Sequence, residues 1–162
     1  MGTRSRIAVM HANVVKSVSC HWDGYLSYNG KILQQYYDSP EANNLVALGD
    51  ISSLGPTIGE EHPFSRFETD LSDEAYDELY GNMTTFYGRD RGEENVSWQV
   101  AHSFEQFLEQ CEDSGADYYY IIRDGIWYCG TTYANTEMSN VLMPLATALD
   151  KQLDSIQHKD MV

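Results

Sequence analysis

The segment His21-Trp22-Asp23-Gly24-Tyr25 brings an imidazole, an indole, a carboxylate and a phenol together within five residues. The segment follows a predicted strand, and the ends of strands next to loops are common places for binding sites. The functional interpretation is that Trp22 or Tyr25 stacks on a ligand while His21 and Asp23 select its polar groups. The structural interpretation is that Trp22 belongs to the core and that Asp23 only helps to form a turn.

A second candidate segment spans residues 87–94, where Arg89 and Arg91 bracket Asp90. The planar guanidinium group is suited to binding phosphate or carboxylate. The alternative is internal pairing of these arginines with Asp23, Asp50 or Asp90, because exposed charges often pair with their neighbours. A ligand pocket built from both segments requires that they meet at an accessible surface.

Known catalytic and metal-binding patterns do not occur in the sequence. There is no G-x-S-x-G, H-E-x-x-H or G-x-G-x-x-G motif, and residues 24–31 match a P-loop neither in glycine spacing nor at Ile32, where Ser or Thr would bind magnesium. The five histidines lack metal-ligand spacing. We therefore predict no metal, cofactor or catalytic residue. One enzymatic alternative uses His21 as general base, oriented by Asp23 or Asp90.

The net charge of −15 is concentrated after residue 60. Residues 1–60 contain five acidic and four basic residues, whereas residues 61–162 contain twenty and six. Such a field disfavours direct binding to nucleic acid or to an anionic membrane and attracts a basic protein surface, although acidity can also serve solubility alone. Like charges four residues apart on a predicted helix favour a positively charged partner. The residues concerned are Asp73, Glu74, Asp77 and Glu78.

Two hairpins are expected to form the sheet that positions these groups. Alternating apolar residues predict strands over residues 3–10 and 14–22, joined by a turn at 12–13. Asp124-Gly125 predicts a second, tightly turned hairpin in which Ile122 lies opposite Trp127. Because both faces of this second hairpin are apolar, we expect it to be central or covered on both sides.

Helices and shorter strands complete the predicted fold. Helices are expected over residues 29–37, 39–48, 72–80 and 103–114 and from Pro144 onward, with Ser39 capping the second and Leu145, Leu149, Leu153 and Ile156 on one side of the last. Extended segments are expected over residues 50–54, 83–87 and 96–101. The prediction is one acidic α+β domain over residues 1–162, with a mainly antiparallel sheet built from two hairpins and helices packed on it.

The cysteine pattern and the amino-terminal residues indicate the compartment. Three scattered cysteines without a C-x-x-C motif are typical of reduced thiols in a cytosol. No apolar run follows the first residues and none is near 18 residues long, so neither a signal peptide nor a membrane span is expected. These features predict a cytoplasmic protein.

Four stretches of the sequence together resemble a widespread family of small proteins of bacteriophages and prophage regions. They are MGTRSRIAV at residues 1–9, HWDGY at 21–25 followed by Gly30-Lys31, LGDISSLG at 48–55 and YGRDRGE at 87–93. The resemblance extends over residues 1–95 and returns in the hairpin with Trp127. The positions that it marks are Arg4, His21, Trp22, Asp23, Tyr25, Asp50, Arg89, Asp90 and Arg91. They suit a small-molecule pocket or, alternatively, an internal polar network that fixes the fold.

The resemblance implies an accessory protein that acts in the host-cell cytosol. The leading hypothesis is that it binds and inhibits a host factor with a basic surface, as a counter-defence protein. An alternative is a sponge that sequesters an anionic, nucleotide-type signalling molecule. A second alternative is a small hydrolase that uses His21, and a homo-oligomeric state is compatible with each.

Overall fold

The computed structural model describes residues 2–133 and 136–153, and its centre is an eight-stranded mixed sheet. The strands are β1 (Ser5–His11), β2 (Val14–Cys20), β3 (Ile51–Ser53), β4 (Thr85–Phe86), β5 (Gln99–Ala101), β6 (Tyr118–Arg123), β7 (Ile126–Thr131) and β8 (Met143–Pro144). Their order is β4-β3-β2-β1-β6-β7-β8, with β5 paired to β2 beside β3. The predicted α+β class and both predicted hairpins are confirmed.

The two hairpins are joined by a parallel pair at the middle of the sheet. Strand β1 runs parallel to β6, with Ile7 opposite Tyr120, and β2 runs parallel to β3 at Cys20. The remaining pairs are antiparallel, and Ile122 lies opposite Trp127 as predicted. The sheet is thus mainly antiparallel but mixed, and β6 occupies a central, fully covered position.

Six α-helices surround the sheet within the described part of the chain. They are α1 (Lys31–Tyr36), α2 (Ser39–Ala47), α3 (Asp73–Tyr80), α4 (Tyr87–Arg91), α5 (Phe104–Asp113) and α6 (Leu145–Asp150). A π-helical turn (Leu26–Gly30) precedes α1, and a 3-10 turn (Arg66–Glu68) precedes α3. The end of the predicted last helix, including Ile156, lies outside the described residues.

Two local predictions are wrong. The cap of α2 is Asp38 rather than Ser39, because the Asp38 carboxylate accepts a hydrogen bond from the backbone N–H of Glu41 at 3.0 Å. The strand predicted over residues 83–87 is only two residues long, and helix α4 begins directly after it at Tyr87. The Asp90 carboxylate accepts from the N–H of Phe86, which links the end of β4 to α4.

The sheet separates two hydrophobic cores. Helices α1, α2 and α6 pack on one face, where Val18, Cys20 and Tyr120 are buried. Helix α5 packs on the other face through Phe107 and Cys111. None of the helices in the described part of the chain is long and apolar enough to cross a lipid bilayer.

Candidate functional site

The turn that follows β2 has a backbone conformation that is unusual for its sequence. Trp22 continues the pairing with β3, because its N–H donates to the carbonyl of Ser52 at 3.1 Å. Asp23 then adopts a left-handed conformation with φ of +57°, which non-glycine residues rarely occupy. Gly24 donates to the carbonyl of Thr3 at 2.8 Å, and a Cβ at this position would overlap the backbone of Thr3 and Arg4, just before β1.

The backbone carbonyl groups of Trp22, Asp23 and Gly24 each accept a hydrogen bond from a buried residue. The side-chain amide of Asn29 donates to the carbonyl of Trp22 at 3.3 Å, and its backbone N–H donates to that of Asp23 at 3.2 Å. The hydroxyl of Tyr120 donates to the carbonyl of Gly24 at 2.6 Å. The strained conformation of Asp23 is therefore over-determined by its surroundings, a condition under which strained residues persist at functional sites.

The side chains of the turn lie above this fixed backbone. The rings of His21 and Trp22 meet edge to face with centroids 4.5 Å apart, and Trp22 remains 43 % exposed. The hydroxyl of Tyr25 donates to the Asp23 carboxylate at 3.2 Å. Together with Arg4, these residues form what we term the strand-end cluster: Arg4, His21, Trp22, Asp23 and Tyr25. Trp22 is consequently not a core residue, which removes the structural interpretation given to it above.

Arg4 connects the cluster to the start of β6. Its backbone carbonyl accepts from the N–H of Asp117 at 2.9 Å, and its guanidinium lies beside Gly115. Burial lowers the pKa of His21, and the Arg4 charge lowers it further. Burial raises the pKa of Asp117, while Arg4 opposes that rise. The guanidinium thus acts electrostatically on both neighbours.

Arg6 is a functional candidate that sequence analysis did not identify. The residue is only 2 % exposed, and its guanidinium donates to the hydroxyl and carbonyl oxygens of Ser17 at 2.9 and 3.1 Å. Burial lowers its pKa, whereas Cys111 and Asp50 act in the opposite direction. The available signal was an arginine inside a predicted strand, next to the apolar run that begins at Ile7.

Asp50 lies at the start of β3 and belongs with Arg6 rather than with the arginines of α4. Its carboxylate accepts from the backbone N–H of Ser19 at 2.9 Å. Burial raises the pKa of Asp50, and the Ser19 hydrogen bond and the Arg6 charge only partly offset this rise. Ser19 is opposite Arg6 in the β1–β2 register, which places Asp50 close to the strand end.

Arg89 is fully engaged inside its own neighbourhood. It donates to both carboxylate oxygens of Asp90 at 3.0 and 3.2 Å and to the carbonyls of Ile58, Gly59 and Thr84 at 3.0, 3.2 and 2.8 Å. The internal pairing considered for this segment is therefore correct for Arg89. Its guanidinium joins the loop after β3 to α4.

Asp90 is the centre of a closed polar network. Its side chain is completely buried and accepts from the backbone N–H groups of His62 and Phe86. The Nδ1–H of His62 donates to the carbonyl of Glu60 at 2.8 Å, so its Nε2 accepts from the Thr85 hydroxyl at 3.1 Å. This hydroxyl–imidazole–carboxylate order resembles a hydrolytic triad, but all three groups are buried, and Asp90 is bound by backbone donors. The network fixes the fold locally.

Arg91 is likewise neutralised, because it pairs with the Glu93 carboxylate at 2.6 Å and lies over the rings of Phe64 and Tyr87. The expectation that the aromatic strand end and the α4 arginines form one pocket must therefore be corrected. Arg89 and Asp90 direct their polar contacts to each other and to residues 58–62 and 84–86, and Arg91 pairs with Glu93. Asp90 is also unsuitable as the orienting group for a His21 base.

The acidic residues predicted to bind a partner lie on α3 and are all exposed. They are Asp73, Glu74, Asp77 and Glu78. Ser72 caps this helix by accepting from the N–H of Ala75 at 3.1 Å. Asp73 additionally contacts the guanidinium of Arg66.

Two further features bear on function. A surface groove of about 400 Å³ lies between the end of α1, the β6–β7 turn and the start of α6, and it is lined by Tyr36, Tyr37, Ile126, Trp127 and Pro144, among others. The groove combines residues that are distant in the sequence, so no local sequence pattern predicts it. Among the described residues, no group of three or more His, Cys, Asp or Glu side chains is arranged to hold a metal ion.

Comparison of the chain with protein-family models, with curated proteins and with solved structures gives no match.

Proposed function

We propose that this chain is a phage-type accessory protein that binds a host factor through an acidic surface and inhibits it, as a counter-defence protein. The observation that carries the proposal is helix α3. It has no buried residue along its length, yet it is attached firmly to the rest of the molecule. A helix of this kind is built to present its outer side to solvent or to a partner.

The attachment of α3 uses two tyrosines. The hydroxyl of Tyr76 donates to the carbonyl of Pro63 at 2.6 Å, and the ring of Tyr80 stacks on His62 with centroids 5.4 Å apart. His62 itself is fixed by the network around Asp90. Asp73 contacts Arg66, whereas Glu74, Asp77 and Glu78 form no ion pair with a described residue and create a negative field, which accelerates encounter with a basic surface.

Exposed apolar groups accompany these charges. Phe67 is 84 % exposed and Leu79 is 55 % exposed, although both side chains are large and hydrophobic. The guanidinium of Arg66 lies over the Phe67 ring at 4.5 Å and contacts Asp73, which connects the ring to the start of α3. Exposed aromatic residues surrounded by polar groups are typical energetic centres of protein interfaces.

The test is capture from bacterial lysate at low and high salt with the purified chain as bait. One variant neutralises α3 through Asp73→Asn, Glu74→Gln, Asp77→Asn and Glu78→Gln. The matched control removes four exposed charges from α5 through Glu105→Gln, Glu109→Gln, Glu112→Gln and Asp113→Asn. We expect the α3 variant to lose a basic protein that the wild type and the α5 control retain, and that high salt releases.

Inhibition is measured on the captured protein once it is purified. Its activity should fall when the wild-type chain is added and recover when the α3 variant replaces it. Failure of the wild type to retain any protein at either salt concentration contradicts the proposal, and so does equal retention by the two neutralised variants.

A further inference from the structure

We propose that the strand-end cluster binds a small phosphorylated ligand with an aromatic base, a nucleotide-type anion. Arg4 would hold the phosphate, Trp22 would stack on the base, and Asp23 would accept from sugar or base donors. This inference goes beyond the proposed function, since it concerns another surface and another class of ligand.

The first support is that the groups that hold the backbone of the turn are different from the side chains that it exposes. Its backbone is held by Asn29, Tyr120 and the neighbouring strands, so the side chains of Arg4 and Trp22 are not required to close it. Preorganisation of this kind lowers the ordering cost of binding. A rigid turn that presents unused aromatic and charged groups is what a small-molecule site requires.

The availability of Arg4 is the second support. Its guanidinium makes no hydrogen bond or ion pair to any residue that the structure describes, in contrast to Arg66, Arg89 and Arg91, which all pair with carboxylates. A guanidinium in this state can bind a phosphate through two parallel hydrogen bonds. Arg6 lies on the same face of β1, because side chains alternate along a strand, but its buried guanidinium is bound to Ser17 and its charge is offset by Asp50.

The placement of Trp22 is the third support. The ring is 43 % exposed but fixed in position, because His21 contacts it edge to face and a Cβ on Gly2 would overlap it. Stacking of one base on such a ring contributes about 1–3 kcal/mol, largely independent of base identity. Tyr28, which is 40 % exposed, extends the aromatic surface beside Tyr25, with ring centroids 6.4 Å apart.

The carboxylate of Asp23 limits the kind of ligand. It repels a second phosphate and accepts hydrogen bonds from hydroxyl or amino groups, as an acidic residue does toward a ribose. The ligand should therefore carry its phosphate on one side and donors on the other. Among common metabolites, nucleoside monophosphates and their cyclic forms have this layout.

The experiment titrates purified protein with adenosine and guanosine 5′-monophosphates, their 3′,5′-cyclic forms and inorganic phosphate, by calorimetry and thermal shift. The test variants are Arg4→Gln and Trp22→Ala. The matched controls are Arg123→Gln, whose guanidinium lies over Tyr128, and Trp98→Ala, whose ring is 39 % exposed beside Lys16. The α3 variant, in which four acidic residues are neutralised, is titrated as well.

We expect at least one nucleotide to bind the wild type, both controls and the α3 variant with equal affinity. Arg4→Gln and Trp22→Ala should each raise the Kd of that nucleotide by about tenfold or more, which is the equivalent of losing one charge-assisted hydrogen bond or one stacked base. Circular dichroism establishes that each variant is folded. Absence of binding by every nucleotide, equal affinity for inorganic phosphate, or unchanged affinity in folded Arg4→Gln overturns the inference while leaving the proposal for α3 intact.

Discussion

Asn29 and Trp22 are joined beneath the surface, where the buried amide of Asn29 donates from Nδ2 to the carbonyl oxygen of Trp22 at 3.3 Å. The same nitrogen lies 3.2 Å from the Ser5 hydroxyl and 3.3 Å from the Cys20 sulfur. One side chain thus connects the π-helical turn with β1, β2 and the exposed turn. The position of Trp22 depends on a residue seven positions further along the chain.

Replacing Asn29 with alanine should destabilise the protein. The change leaves the Trp22 carbonyl only the long, weak hydrogen bond from the Cys20 thiol at 3.7 Å, and the loss of the amide donor costs about 1–3 kcal/mol. Removal of the Asn29 Oδ1, which is buried without a described partner, offsets part of this cost. Urea unfolding measures the effect, and Asn44→Ala on the exposed side of α2 is the matched control. The control should be unchanged or slightly stabilised, since alanine is the better helix former. Equal unfolding midpoints for the two variants would refute the supporting role.

The left-handed conformation of Asp23 leads to a second prediction. Asn tolerates this conformation and can still accept from the Tyr25 hydroxyl, so Asp23→Asn should keep wild-type stability. A β-branched residue is disfavoured there, and Asp23→Val should lose about 1–2 kcal/mol from backbone strain alone. Thermal and urea unfolding of the pair decide the question. If Val were tolerated as well as Asn, the turn would not be held as described.

The polar network around Asp90 leads to a third prediction. Asp90→Ala removes the carboxylate that neutralises the largely buried Arg89, and breaking a buried pair of this kind costs about 3–5 kcal/mol. The matched control is Glu93→Ala, which breaks the half-exposed pair with Arg91 and should cost less than about 1 kcal/mol. Chemical denaturation distinguishes the two. A cost for Asp90→Ala no larger than that of the control would show that the network does not hold the loop.

Much of this fold follows from local sequence signals, whereas its long-range pairings do not. Asp124 and Gly125 both have positive φ, as a two-residue hairpin turn requires, and the register of β6 and β7 follows from that turn alone. The parallel pairing of Ile7 with Tyr120 joins distant parts of the chain, and neither strand carries a mark of its partner. Apolar faces on both sides of β6 indicate only that it is central.

The candidate site shows the same limit. The composition of residues 21–25 indicated a binding turn, and that turn exposes Trp22 and fixes Asp23. The arginines of residues 87–94 looked equally suited to a ligand, but the partners of Arg89 include carbonyls of residues 58 and 59. Backbone carbonyls are present at every position of a sequence, so no pattern of side chains reveals which of them a guanidinium will bind.

The pH dependence of stability offers a test of Asp50. Burial raises its pKa in the folded protein above the ordinary value, so the folded state favours the protonated carboxyl. The resulting stabilisation is complete below the pKa of the unfolded chain and is lost as the pH rises through the folded pKa. At neutral pH the charged carboxylate therefore destabilises the fold relative to a neutral group of the same shape. Asp50→Asn is such a group and can still accept from the Ser19 N–H.

We therefore expect Asp50→Asn to be more stable than the wild type at neutral pH, with an advantage that shrinks as the pH falls and the wild-type carboxyl becomes protonated. Urea unfolding across the acidic and neutral range measures the difference. Asp124→Asn, in the exposed β6–β7 turn, is the matched control for removal of one negative charge from an acidic chain. A gain of the same size and pH dependence in that control would attribute the effect to net charge, and a loss of stability in Asp50→Asn at neutral pH would show that attraction to Arg6 outweighs burial.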